Sequence, residues 1–257
     1  MYGFAKKTLF AALLAGVAGP ALAADYIEEP IEVAAVGGWY LRGYLGMSNQ
    51  FFDGLESDLF DVPSEFGWYD DGGFSSAPIV GGGVGYEFND YLRGDLTVEW
   101  RGKSEFDAVD WLRATPVSGI TTNDYSADKS ELVFMVNGYY DFGAFYGITP
   151  YVGAGLGASY NTISNFRDIN IINGGGAYAD DNSEWNFAWA LHAGLGFQAT
   201  ERMTIDFGYS FISLGDASSG TLQNDDGVSF PSGANESIKF NDIYSNDFKL
   251  GVRYSLN

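Results

Sequence analysis

The stretch FKLGVRYSLN, residues 248–257, alternates apolar and polar side chains without a break. Phe248, Leu250, Val252, Tyr254 and Leu256 fall on one face, and Lys249, Gly251, Arg253, Ser255 and Asn257 on the other. Side chains alternate across a β-strand, so this is a strand with one greasy and one wet face. The opposite end of the chain gives that strand its setting. Lys6 and Lys7 precede an apolar run from Leu9 to Ala18, Gly19-Pro20 interrupts it, and Ala21-Leu22-Ala23 forms an A-x-A cleavage site. Residues 1–23 therefore read as an export signal cut after Ala23, with Ala21 and Ala23 directing the cut. An exported chain that closes on an amphipathic strand points to a β-barrel in an outer membrane.

Composition supports that direction. A mature chain of 234 residues, taken as 257 less the 23-residue leader, suits one all-β domain. After the leader no run of eighteen apolar residues occurs, so no membrane-spanning helix is expected. Aromatics make up 17% and there are 35 glycines, while cysteine is absent, which rules out a disulfide framework. The 13 Lys and Arg, less Lys6 and Lys7, leave 11 bases against 34 acids, a net −23. Such a surface repels nucleic acid.

Eight amphipathic segments recur, at 38–48, 78–88, 91–103, 130–142, 149–161, 185–199, 203–214 and 247–256. Long and short connections alternate between them. The short ones are Asn89-Asp90, Gly143 to Ile148 and Thr200 to Arg202; the long ones are roughly 51–76, 104–129, 162–184 and 215–246. Short turns at one end and long loops at the other are the pattern of antiparallel outer-membrane barrels, whose short turns lie in the periplasm. Ten strand residues at about 3.3 Å, tilted about 45°, rise roughly 23 Å, close to the apolar band of such barrels. The expected fold is all-β: an eight-stranded antiparallel up-and-down transmembrane barrel over 38–257, preceded by a periplasmic lead-in at 24–37. No peptidoglycan-binding domain is expected after the last strand.

Parity assigns the facing when the apolar set is placed outward. Leu92, Leu96, Val98 and Trp100 then face lipid while Arg93, Asp95, Thr97, Glu99 and Arg101 face the lumen. A soluble barrel would show the reverse. The same rule puts Arg42, Glu87, Glu131, Asp141, Asp206, Asp247, Lys249 and Arg253 inside. Aromatics collect at both strand ends, as interfacial girdles do.

With these pieces in place the chain resembles the small eight-stranded outer-membrane barrels of the OmpA-transmembrane and opacity-protein type, and the porin-family surface proteins of alphaproteobacteria. The resemblance rests on the leader, on Gly38-Trp39-Tyr40-Leu41-Arg42-Gly43, and on Lys249-Leu250-Gly251-Val252-Arg253-Tyr254-Ser255-Leu256. Lys249, Gly251, Tyr254 and Leu256 are similar to the family's assembly signal, which implies the barrel-assembly machinery as a partner. Leu256 departs from it, standing where most members carry an aromatic residue. The family implies a cell-envelope location and surface roles, structural or adhesive.

Buried charges must be paired or hydrogen-bonded. The inward set, five bases against Glu87, Asp95, Glu99, Glu131, Asp141, Asp206 and Asp247, reads as an ion-pair plug. Glycines at 81, 83, 85, 153, 155, 157, 194, 196, 208 and 251 share the inward parity. They either make room for facing Tyr and Arg or leave a narrow water-filled passage. His192, the only histidine, lies inward; Ser159 and Ser210 share its lumen, but no spacing motif ties either to it. With no cysteine and no second histidine, no metal or cofactor is expected. The Asp-Asp pairs at 70–71, 180–181 and 225–226 read as solvated acids. Residues 51–76 combine seven acids, no base and seven aromatics, either packed against neighbouring segments or forming a contact surface.

The expected function is a structural, surface-exposed barrel in the outer membrane of a Gram-negative bacterium, not an enzyme, with acidic, aromatic-rich loops contacting host or envelope molecules. Outer-membrane lipid and lipopolysaccharide are the expected surroundings, and a monomer the expected state. The alternatives are a narrow porin-like channel for ions or small polar solutes and, behind it, an envelope enzyme.

Overall fold

A computed structural model describes residues 37–61, 63–172, 174–224 and 237–256. The export signal with Ala21 and Ala23, the lead-in before Gly37, Asp225-Asp226 and Asn257 lie outside the described residues.

Eight long strands close into a ring: β1 (Gly38–Phe51), β4 (Ala77–Glu87), β5 (Leu92–Arg113), β6 (Asn123–Asp141), β7 (Ile148–Asn170), β9 (Asn182–Gln198), β10 (Met203–Ser218) and β12 (Lys239–Ser255). Each pairs antiparallel with the next, and β1 meets β12 in the register Leu41↔Tyr254 and Leu45↔Leu250. Four short strands extend the wall at the long-loop end. β2 (Gly54–Glu56) adds to β12, β3 (Glu65–Phe74) to β5, β8 (Gly176–Ala179) to β7 and β11 (Leu222–Asn224) to β8. Among the described residues no helix is long and apolar enough to cross a membrane.

Local chemistry sets the short turns. Asn89 Oδ1 accepts from the amides of Tyr91 and Leu92, closing the β4–β5 hairpin as an Asx turn. Gly143 and Gly147 supply φ of 89° and 79° at the β6–β7 turn, a backbone only glycine adopts freely. Thr200 Oγ1 caps the β9–β10 turn by accepting from Met203 N.

The outward face of the lower ring is apolar and exposed, with Leu41, Leu45, Leu96, Val136, Leu156, Leu191 and Leu250 all about half accessible. A belt this continuous, with Trp39, Tyr86 and Phe142 near one edge and Phe51, Trp100 and Trp185 near the other, fits a bilayer rather than water.

The strands run further at the long-loop end than the sequence suggests. β5 reaches Arg113 instead of 103, β6 starts at Asn123 instead of 130, β7 reaches Asn170 instead of 161, and β12 starts at Lys239 instead of 247. Above the membrane band the pattern inverts, because water replaces lipid outside. Phe106 and Ala108 turn inward and are fully buried, while Glu105 and Asp107 face out. Much of the expected irregular loop is therefore a rigid wall around a core like that of a soluble protein. Most aromatics of 51–76 accordingly pack against neighbouring segments. Phe52, Phe60, Trp68 and Phe74 pack onto the core, and only Tyr69 and the lipid-facing Phe51 are largely exposed.

Candidate functional site

The lumen is stacked in layers. Nearest the short turns, Arg253 forks onto Asp206 at 2.7 and 3.1 Å and lies 3.6 Å from Glu87 at the rim. On the facing wall Arg93 pairs with Asp141 at 3.0 Å and stacks over the Tyr139 and Tyr151 rings. One level up, Asp95 takes Arg42 at 2.7 Å, Asn137 at 2.8 Å and the Tyr40 hydroxyl at 3.1 Å. Glu99 then bridges Lys249 and Arg101, each at 2.6 Å. Arg101, fully buried, also forks onto Asp247, with Ser48 and Ser245 completing the layer.

Several of these contacts are chords across the ring rather than links between neighbours. Arg42 on β1 reaches Asp95 on β5, and Arg101 and Glu99 on β5 reach Asp247 and Lys249 on β12. A charge taken out of water is tolerated at such short range only when its remaining hydrogen bonds are met as well. At Asp95 the Tyr40 hydroxyl and the Asn137 amide supply such bonds, and at Arg101 the Ser48 hydroxyl does.

The top polar layer holds residues that sequence reasoning missed. Lys129, fully buried, pairs with Glu131 and donates to Gln50 Oε1 at 3.0 Å. The sequence reading starts this strand at 130 and so leaves Lys129 in the 104–129 connection. Yet the odd residues of β6 face inward without interruption from Asn123 to Asp141, and that parity alone points to Lys129. Immediately above, the apolar core spans the barrel, with Phe106, Ile163, Leu214, Phe240 and Ile243 at 0–1% exposure.

Four of the inward glycines serve as seats for rings. Gly85 faces the Tyr40 ring, Gly81 the Tyr44 ring, Gly153 that of Tyr139 and Gly194 that of Tyr151, so a Cβ at any of them would enter the aromatic side chain. Beside these rings lie two small cavities of about 20 and 30 Å³, sharing Arg42, Tyr44, Tyr139, His192, Ser210 and Lys249. Each has room for a water molecule or two.

The structure ties His192 to a serine, although no motif does. His192 Nδ1 lies 2.8 Å from Ser210 Oγ and its Nε2 lies 3.1 Å from Asn137 Oδ1. An amide oxygen opposite Nε2 places the ring proton there, leaving Nδ1 to accept from the serine hydroxyl. Ser159 is elsewhere, donating to Leu214 O. The adjoining cavities admit water but not an acyl or peptide group. Among the described residues no group of three or more His, Asp or Glu is placed to hold a metal ion.

A closed ring of eight antiparallel strands, greasy outside and charge-paired inside, defines a small transmembrane β-barrel. The chain belongs to the outer-membrane β-barrel family, since the family model described as outer membrane protein beta-barrel domain matches residues 9–255. It is 30% identical over 189 residues to the outer membrane protein PagN of Salmonella typhimurium, covering 69% of this chain and 73% of PagN. An uncharacterised protein of Brucella suis is 28% identical over 223 residues, 80% of this chain and 78% of that one. Among solved structures, OprG from Pseudomonas aeruginosa is similar with a TM-score of 0.46 and 12% identity, covering 85% of this chain and 96% of OprG. The protein therefore resides in the outer membrane of a Gram-negative bacterium.

Proposed function

We propose that this barrel is a structural, surface-exposed envelope protein whose lumen is closed from end to end. The observation that carries this reading is the stacking itself: transluminal ion pairs fill the membrane-spanning half, and an apolar core caps them. Water follows neither route readily. The paired layers adjoin two neighbouring water-sized cavities, and the core above is mainly apolar, with Ser159 and Asn161 bonded to the backbone beside it. The seating of tyrosine rings on the inward glycines speaks for packing and against a porin-like passage. The enclosure of the His192–Ser210 pair speaks against an enzyme.

The short turns face the periplasm and the strand-built wall faces the medium. Residues 52–76 hold seven acids and no base, so the wall repels polyanions and suits neutral or cationic host or envelope partners. Assembly runs through the Lys249 to Leu256 strand, recognised by the barrel-assembly machinery, and the barrel works as a monomer.

A deletion strain tests the role. A structural barrel predicts that deletion lets in a large dye normally excluded by the outer membrane, with the barrier restored by the wild-type gene. Slowed uptake of small polar solutes, with an intact dye barrier, would favour the channel instead.

A further inference from the structure

Among the described residues the upper wall has an open strand edge. β3 continues the line of β4 above the membrane band and pairs with β5 in the register Glu65↔Arg113, Phe66↔Leu112 and Gly67↔Trp111. On its other side it pairs with no described strand. Leu112 commits its amide and its carbonyl to Thr121, both at 2.9 Å. Antiparallel pairs alternate between bonded and non-bonded, so Phe66 faces Leu112 as a non-bonded pair. Phe66 therefore turns its own amide and carbonyl towards the open side, as Trp68 does two residues on. An unpaired edge of this kind is a template for a further strand.

The side chains around this edge are of two kinds, aromatic and acidic. The half-buried Trp111 ring lies over Gly67, so close that a Cβ there would meet the indole at 2.7–2.8 Å. Tyr69 is 64% exposed, with Asp70 and Asp71 exposed beside it. Asp70 Oδ1 accepts from Gly72 N at 3.0 Å, and neither acid is paired with a base among the described residues. Arg113, the base on the neighbouring strand, is already held by Glu65 at 2.6 Å. The rise from Trp100 at the belt edge, at about 3.3 Å per residue and a tilt of about 45°, puts Trp111 roughly 25 Å above the hydrocarbon, beyond acyl chains. The edge also rejects its own copy. An antiparallel β3–β3 pair would set Glu65, Asp70 and Asp71 against the same acids, and like charges facing across strands are destabilising. Register shifts at Asp70 end the regular edge there, so the strand it takes is short and its side chains must supply the selectivity.

We propose that the open edge of β3 takes an extended, basic peptide segment of a partner protein, which adds to the sheet as a short strand beside Glu65–Trp68. Alternate residues of the added strand face outward, where lysine or arginine meets the Trp111 ring, Asp70 and Asp71. The residues between them turn inward beside the stacked Phe60 and Phe66 rings, 4.7 Å apart, and are apolar. Backbone bonds to Phe66 and Trp68 supply affinity, and the alternate side chains supply specificity. The proposal rests on the reading that the upper wall faces the medium and meets cationic partners, and it is independent of whether the lumen is closed.

The test titrates a short synthetic peptide alternating lysine with valine into the full folded protein in detergent micelles, read by fluorescence anisotropy of a dye on the peptide. Wild type should bind it, less tightly as salt rises. Peptides N-methylated at the lysine amides or at the valine amides keep the charge, but each loses one hydrogen-bonding edge. One of the two should bind about tenfold more weakly, the equivalent of about 1.4 kcal/mol. A peptide with glutamate for lysine should not bind. W111L and D70N/D71N, checked for folding by heat-dependent gel mobility, should each weaken binding severalfold. The chain has no cysteine, so disulfide trapping maps the site. Tyr69→Cys should capture a lysine peptide ending in cysteine, while Asp124→Cys, on the outer face of β6, should not. No binding by wild type, equal binding of all three lysine peptides, undiminished binding in both variants, or equal capture at the two cysteines would overturn the proposal. So would a protein dimer that the lysine peptide disperses, since a second copy would then occupy the edge. None of these results bears on the dye barrier of the deletion strain, so failure here is distinct from failure of the structural role.

Discussion

Phe106→Ala probes the cap above the lumen. The Phe106 side chain is fully buried, with its ring 5.8 Å from Phe52, 5.7 Å from Phe74 and 4.9 Å from Phe240. Those three rings come from the β1–β2 link, from β3 and from β12, so Phe106 ties three separate segments to β5. This region lies above the membrane band, where the outside is water, and the energetics of a soluble core apply. Truncating a buried Phe to Ala costs about 3–5 kcal/mol, from lost transfer energy and the cavity left behind. The edge-on pairs with Phe52 and Phe240 account for about 0.5–1.5 kcal/mol each of that. The loss should be local, because the transmembrane ring has its own ladders and ion pairs. Hydrogen exchange by mass spectrometry should therefore quicken at least about a hundredfold in peptides covering 66–74, 104–109 and 239–243, at 1.4 kcal/mol per factor of ten. Peptides covering 93–101 and 248–254 should stay protected. Unchanged exchange in the upper wall, or equal quickening in both regions, would refute the separation of a soluble-type cap from the membrane ring.

Arg101→Ala removes one of the two cations, with Lys249 the other, that face Glu99 and Asp247, leaving buried carboxylates short of charge at a cost of about 3–5 kcal/mol. Its urea midpoint in detergent should fall, and R101M/D247N, which discharges the pair together, should recover much of the loss. Asp168 gives a pH dependence: burial, then the Asp110 carboxylate, push its carboxyl from 3.8 up to about 7. Because the folded-state value is the higher one, the contribution of Asp168 to the upper wall is greatest below about pH 4 and is lost as pH rises towards 7. Exchange at 166–169 should quicken across that window, and D168N should flatten the response; a wall that tightens with rising pH would contradict it. For orientation, a cysteine at Asp70 should take a membrane-impermeant label on whole cells, while one at Asn89 should need permeabilised cells. The reverse pattern would invert the topology.

The membrane-spanning half of this fold was legible because a single rule governs it. From Arg93 to Arg101 the odd residues are polar or charged and the even ones apolar apart from Gly94, and the lipid outside leaves no other reading. The upper wall was hidden by the change of solvent. β6 keeps its inward parity through all 19 residues, yet its inward set turns from Glu131 and Lys129 to Ala127 and Tyr125 while its outward set turns polar. A rule that equates apolar with outward stops there. β5 adds a break in phase, since its register shifts between Arg101 and Ser104, so that inward positions pass from odd to even. The charged lumen residues were readable one at a time, but their pairing was not. Lys249 meets Glu99 at a separation of 150 residues, and only closure of the ring brings them together. The His192–Ser210 bond is of the same kind, a cross-strand pair set by the β9–β10 register.

The central claim is that paired charges and an apolar cap seal the lumen, and single-channel recording on the refolded wild-type protein in planar bilayers tests it most directly. The account predicts no steady conductance at moderate voltage. It further predicts that combining Phe106→Ala with Arg101→Ala, which opens the cap and the layer beneath it, produces cation-selective current, because inward acids outnumber inward bases. Reproducible open-channel steps in wild type, absent from mock-refolded preparations, would contradict the closed lumen and make the protein a pore.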